Sequence, residues 1–543
     1  MFNGSGSFHA LSIGLASADP SWRSLLDSEG LPWQIVADKS SGPLPEVIIV
    51  PWGADAATRR FCGRLAAQGS AIVTEQRRPE GVAAAGPQRR SFPYHRDDFS
   101  GLRSSDLPGA VHIEYGRCGA GEYYLLPFRL GEVWPSNRTG KRYVVVDPER
   151  EVRLWHRQAW VVKKNVRRVV VEVVRGAFFG RGLPVVHKWY WPGESRSVFC
   201  MRADLDGGSP QNLVRFLDAV RPFARSASLF VCARRYLDKG DLVRQAARDG
   251  LEVGNHTYSH MVFPDAVTNR VALARADRFL AALGIAPQGL AAPAYFWHPS
   301  MYPPLAARGY RYASCFGLDH DNVPYYPVVK GHTQSVLEVP FHCLGDLFPK
   351  FDIPLDGEAS RRFFAGLIAK KHAAGEAINL YGHADMDGRL GSAPGLTRFL
   401  CEQALGLPNV WTGHLADLDA WWRRRQESEL DPWFDTDRER LVCHTRPGGS
   451  AGRGDLMLSV HLPDGSWRLI GPDACSEPGV DVRGVRALAP LRQPEPADVG
   501  EVVHVEESST LAGRLRNRRV ALKRLARAYA DVYCRRAAPG DSA

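Results

Sequence analysis

The chain has 543 residues, too many for one ordinary core, and this length argues for about three domains. Its 44% hydrophobic and 24% charged content is that of a folded globular protein, and no apolar run of about eighteen residues is present to span a membrane. The net charge of +10 is gathered at one end: residues 511–543 hold nine Arg or Lys against two Asp, which leaves +3 for the rest and argues against a nucleic-acid-binding fold.

The N-terminal FHALSIGLA reads as a first strand rather than an export signal, because no Lys or Arg precedes it. PSWRSLLDSEG follows as a helix, then VIIVP as a strand, ATRRFCGRLAAQG as a helix and SAIVT as a strand. Apolar strands joined by short helices predict a small parallel α/β domain over residues 1–135. The glycines from Gly116 to Gly121 form neither GxGxxG nor GK[ST], and the strand-like EYYLLPF after them predicts a hairpin turn. This arrangement loosely resembles the last hairpin of amidotransferase-like domains that have lost their catalytic residues. Residues 136–195 connect, with LWHRQAWVVKKNVRRVVVEVV expected as a packed helix and strand as its alternative.

From 196 to 427, seven or eight strand–helix units predict a closed or nearly closed parallel barrel. Residues 428–505 carry short strands between turns, PDG among them, and read as a β-sandwich-like module. Residues 506–543 form a basic amphipathic tail. Two readings stand for it: a helix docked on the protein, or peripheral contact with an anionic membrane. Ten cysteines without a CxxC fit a reducing compartment, so a cytoplasmic location is expected, peripheral at the inner face of the membrane if the tail binds there.

Three motifs end predicted barrel strands, where parallel α/β folds place their chemistry. The first is Asp204-Leu205-Asp206-Gly207-Gly208, the second His256-Thr257-Tyr258-Ser259-His260, and the third Ile378 to Asp385, which ends its apolar run on His383. Two histidines four residues apart face one way in a helix or tight turn, and with one carboxylate they leave a coordination position open on a zinc-like ion. A water held there turns acidic near neutral pH. Gly207-Gly208 is expected to bend the chain so that both aspartates serve one site, and amides near Gly207 are expected to steady an oxyanion.

Together these pieces resemble the polysaccharide deacetylase family (the NodB homology domain, carbohydrate esterase family 4). The resemblance implies a distorted (β/α) barrel, a divalent metal, zinc first, held by Asp206, His256 and His260, Asp204 as catalytic base and His383 as general acid. The spacing of the aspartates by one is similar to the branch that deformylates lipid-linked aminosugars. The implied reaction removes an N-acyl group, acetyl or formyl, from an amino sugar in a polysaccharide or lipid-linked glycan. No nucleic acid partner is implied. Two departures stand out. The third motif, Ala291-Ala292-Pro293-Ala294-Tyr295, lacks its usual Arg and leaves Pro293 and Tyr295 as substrate contacts. The acid's Asp partner is to be sought at Asp319 or Asp321. The rival reading is a non-catalytic carbohydrate-binding or assembly module of a glycan-synthesis system.

Overall fold

A computed structural model describes residues 8–533 apart from 37–43, 79–87, 94–109, 148–151, 160, 294–296, 316, 318, 320, 342–344, 347–356, 447–454, 477, 490, 492–501 and 504–510. Near the N-terminus, seven strands form one sheet, in the order Trp33–Ile35, Ile13–Leu15, Val47–Val50, Ala71–Glu75, Gly121–Leu126, Ala110–Cys118, Gln88–Pro93. The first five are parallel, and Ala110–Cys118 is antiparallel to both of its neighbours. The glycine-rich segment is the expected hairpin: Cys118 faces Gly121 across the turn, and Gly119 takes φ +63°.

FHALSIGLA, read as one strand, is two. Phe8–Ala10 pairs antiparallel with Trp433, Phe434 and Asp435, while Ile13–Leu15 joins the first sheet. The chain crosses between sheets at Leu11 and Ser12, where the Leu11 amide donates to the Pro432 carbonyl and the Ile13 amide to that of Pro32. The connecting segment also departs from one helix. Its first part, Val152–Ala159, is a strand paired with Thr139–Asp147, which also pairs with Val502–Val503, and helix α1 runs only over Lys163–Phe179. Val166, Val170, Val173, Val174, Ala177 and Phe178 make a buried stripe on α1. That stripe packs in one core with Trp22 and Leu25 of the first sheet's layer and with Phe434, Leu441, Leu458 and Val460. The β-rich part is therefore assembled from distant pieces: Phe8–Ala10 completes one of its sheets and Val185–Lys188 the other.

The barrel strands are β1 (Ser197–Leu205), β2 (Ala227–Val231), β3 (Glu252–Asn255), β4 (Gly289–Ala291), β5 (Tyr312–Ser314), β6 (Leu337–Glu338), β7 (Ile378–His383) and β8 (Val410–Thr412). All pairings are parallel, in the order β6-β5-β4-β3-β2-β1-β7, with β8 against the first residues of β1. β6 and β7 do not pair directly. The chain after β6 lies along β7 instead, with Gly345 bridged to Tyr381 and the Asp346 amide bonded to the Tyr381 carbonyl at 3.1 Å. The result is a distorted (β/α) barrel.

Every residue of β1 is buried, as a parallel strand covered on both faces requires. Phe199, Met201, Ala203 and Leu205 pack outward under the helices, while Val198 and Cys200 enter a separate cluster with Phe230 and Tyr381. The second set defines the inner face. Period-two alternation puts Arg202 and Asp204 on that face, with Asp206 beyond it at the mouth.

Among the described residues, eight cysteines are free and buried, and no helix is long and apolar enough to cross a membrane. At the junction of α1, Val185–Lys188 and the β-rich part, His187 and His461 stack with ring centroids 5.3 Å apart. Burial, with Arg175 and Arg425 nearby, lowers His187 from 6.5 to about 3, and burial and Arg175 hold His461 well below its usual value. Between pH 6.5 and about 3 the unfolded chain thus binds protons that the folded one refuses. Stability is expected to be full above pH 6.5 and to fall as pH drops through that window. The slope is about 1.4 kcal/mol per pH unit for each ring. Urea midpoints at neutral and mildly acidic pH measure it, and His187→Leu should reduce the slope.

Candidate active site

The second motif starts where β3 ends. His256 is not on a helix: Thr257 and His260 take φ of +64° and +57°, left-handed positions that non-glycine residues adopt at a cost. The tight turn, not a helix face, points both imidazoles the same way. His256 Nε2 lies 3.2 Å and His260 Nε2 3.0 Å from one oxygen of Asp206. The three donor atoms fall within 4.8 Å of one another. Asp206 Oδ1 and His260 Nε2 are buried, and neither has a hydrogen bond of proper geometry. Atoms that converge without bonding each other suit a shared ion. His256 Nδ1 lies 2.9 Å from the Ala291 carbonyl; bonding there makes Nδ1 the donor and leaves Nε2 its lone pair. Burial would raise the Asp206 carboxyl, but the two imidazoles more than offset it and hold it far below the usual carboxylate range. The donor set therefore fits a zinc-like divalent ion.

Asp204 Oδ2 is 3.6 Å from His256 Nε2 and is buried. Residues two apart on a strand share a face, so Asp204 and Asp206 reach one site without the expected bend. The turn at Gly207, φ +89°, does something else. It aims the amides of Gly207 and Gly208 at Asp385, each 2.8 Å from Oδ2, which also accepts from the Tyr236 hydroxyl at 2.7 Å. Those two amides are thus committed and are not free for an oxyanion, contrary to the expectation. Asp385 ties the strand bearing His383 to the turn bearing Asp206.

An arginine that pairs with Asp204 stands on β1 itself. Arg202 grips Asp204 at two points, Nε to Oδ1 at 2.9 Å and Nη2 to Oδ2 at 2.6 Å. Its guanidinium lies within 5.0–5.5 Å of the ring centroids of Phe230, Phe341 and Tyr381, and Nη1 donates to the Ser314 carbonyl at 2.7 Å. The signal was present as an arginine two residues before the aspartate.

His383 ends β7, with Nε2 3.6 Å from Asp206 and Nδ1 3.1 Å from Asp346. The Asp346 carboxylate also accepts the amides of His383, at 2.7 Å, and Leu390, at 3.2 Å. Burial alone would lower the imidazole, but Asp346 outweighs it and raises His383 to about 9. The carboxylate beside His383 is therefore Asp346, not Asp319 or Asp321. Those two pair with Arg167 at 3.0 and 2.5 Å, and Arg167 also bonds Glu29 at 2.8 Å, so they join the barrel to α1 and the first sheet's layer. Pro293 is buried just past β4, and Tyr295 lies outside the described residues.

No curated protein matches the chain. Among solved structures, a probable polysaccharide deacetylase from Pseudomonas aeruginosa PAO1 is similar at 18% identity, over 43% of this chain and 93% of that one, with TM-score 0.38. PuuE allantoinase is similar at 17% identity over 43% and 92%, with TM-score 0.38. A family 4 carbohydrate esterase from Streptomyces lividans is similar at 13% identity over 40% and 93%, with TM-score 0.27. Residues 203–313, from β1 into β5, match the family model for polysaccharide deacetylase.

Proposed function

We propose that the chain is a metal-dependent hydrolase that removes an N-acyl group, acetyl or formyl, from an amino sugar of a polysaccharide or lipid-linked glycan. The observation that carries this reading is the convergence of Asp206, His256 and His260 at the barrel mouth, with Asp204 and His383 on either side. A bound divalent ion would supply Lewis acidity at the acyl oxygen and at water. Asp204, held by Arg202, takes the proton as water adds to the acyl carbonyl. His383, kept cationic by Asp346, gives a proton to the departing nitrogen as the C–N bond breaks, leaving an amine and a carboxylate. A family relative that serves only to bind glycan has no need of this complete set, which disfavours the non-catalytic reading.

The test is release of acetate or formate from N-acetyl chito-oligosaccharides and N-formyl amino sugars by the purified protein. Chelation should abolish release, and added zinc or cobalt should restore it. Protein that holds stoichiometric metal yet hydrolyses no N-acyl amide would defeat the proposal.

A further inference from the structure

Among the described side chains, the C-terminal helix α3 (Leu511–Tyr533) docks through its last turns, with Leu525 and Tyr529 partly buried there. Ala528 and Val532 are buried against Tyr258, Phe263, Ala272 and Ala276, the last two on helix α2 (Ala266–Ala282). The Tyr529 hydroxyl donates to Asp265 at 2.7 Å, its ring meets Phe263 edge-on at 4.9 Å, and Asp531 pairs with Arg234. Every one of these barrel contacts is on a loop that leaves a strand's C-terminal end or on α2 just after it. The helix is thereby fixed beside the turn that carries His256 and His260.

In the turns just before these contacts, residues 519–524 are all exposed. Arg519, Lys523, Arg524 and Arg527 are exposed there, together with Val520 at 46% and Leu522 at 65%. The apolar surface is biased to the same place. Among the described residues, nine large hydrophobic side chains are exposed, and six follow the C-terminal ends of barrel strands, Val267 on the first turn of α2, or lie on α3: Leu237, Val267, Met386, Val520, Leu522 and Tyr533. Leu237 follows β2, Val267 follows β3 and Met386 follows β7, so one rim collects them. Helical periodicity puts Arg519, Val520, Lys523, Arg524 and Arg527 on one side of α3, away from the docked stripe, with Leu522 exposed beside that stripe, and a helix that offers both cations and apolar tips to solvent complements an anionic lipid surface.

We infer that α3 and the mouth rim form a docking surface for an anionic lipid bilayer, which brings the active-site mouth against the membrane. The binding does not depend on the reaction proposed above. Flotation of the full chain with vesicles tests it, comparing phosphatidylcholine alone with an equal mixture of phosphatidylcholine and phosphatidylglycerol. The full chain should float with the mixture, stay behind with the neutral lipid and be released by salt. Changing Arg519, Lys523, Arg524 and Arg527 together to Gln should weaken partitioning roughly a hundredfold or more. Leu522→Asp, which keeps those cations, should weaken it about tenfold. Neither change touches a buried side chain, so an unchanged melting curve verifies the fold. Failure of the full chain to float, or equal flotation of the four-site variant, would overturn the inference. So would salt-sensitive binding to a DNA duplex without binding to vesicles, which would give the surface to nucleic acid.

Discussion

His256→Ala is expected to lose the metal and hydrolysis together. Nε2 of this ring faces Asp204 at 3.6 Å and Asp206 at 3.2 Å, and Nδ1 is held by the Ala291 carbonyl. Removal takes away one of three protein donors, and it leaves a buried carbonyl without its donor and Asp206 with one imidazole. Bound metal should fall from about one per chain to the background level, and kcat by about a thousandfold or more. His260→Ala should act the same way but less steeply at saturating metal, because that ring is 29% exposed and water can take its place. Elemental analysis beside the deacylation assay reads both effects. A His256→Ala protein that keeps metal and turnover would remove the site from this reading altogether.

How much of this was legible in the sequence differs from part to part, for physical reasons. The barrel strands were readable because burial on both faces writes a continuous apolar run, as in Val198 to Met201 and Leu229 to Val231. The candidate metal triad was readable because its donors sit at or just past strand ends, where a polar residue interrupts such a run. Asp346 was not, because its link to His383 spans 37 residues and nothing in the local sequence pairs the two. Asp385 was quoted as the end of a motif, but its role depends on the amides of Gly207 and Gly208, 178 and 177 residues away. The split of FHALSIGLA was hidden because both halves are apolar and only the tertiary partners differ. Arg202 is the case where the information was in hand. An i, i+2 pair on a parallel strand shares the inner face, and a buried guanidinium there needs a carboxylate.

That pairing supports the second large effect. Asp204→Asn is expected to keep the metal, since Asp206, His256 and His260 are untouched, and to lower kcat by about a hundred- to ten-thousandfold through loss of the proton acceptor. Arg202→Met should also lower kcat, by a different route. It leaves the Asp204 carboxylate buried with its two-point partner gone, which costs about 3–5 kcal/mol of stability and frees the side chain to turn away from water. Arg202→Lys restores charge but not the fork, so it should recover part of the stability and little of the rate. The combined Asp204→Asn, Arg202→Met protein separates positioning from independent chemistry. If Arg202 acts through Asp204, the double variant hydrolyses about as slowly as Asp204→Asn alone, because the second change has nothing left to misplace. Losses that multiply would mean that the guanidinium works on the substrate by itself. An Asp204→Asn protein with full activity would move the proton acceptor elsewhere and leave Arg202 as core structure only.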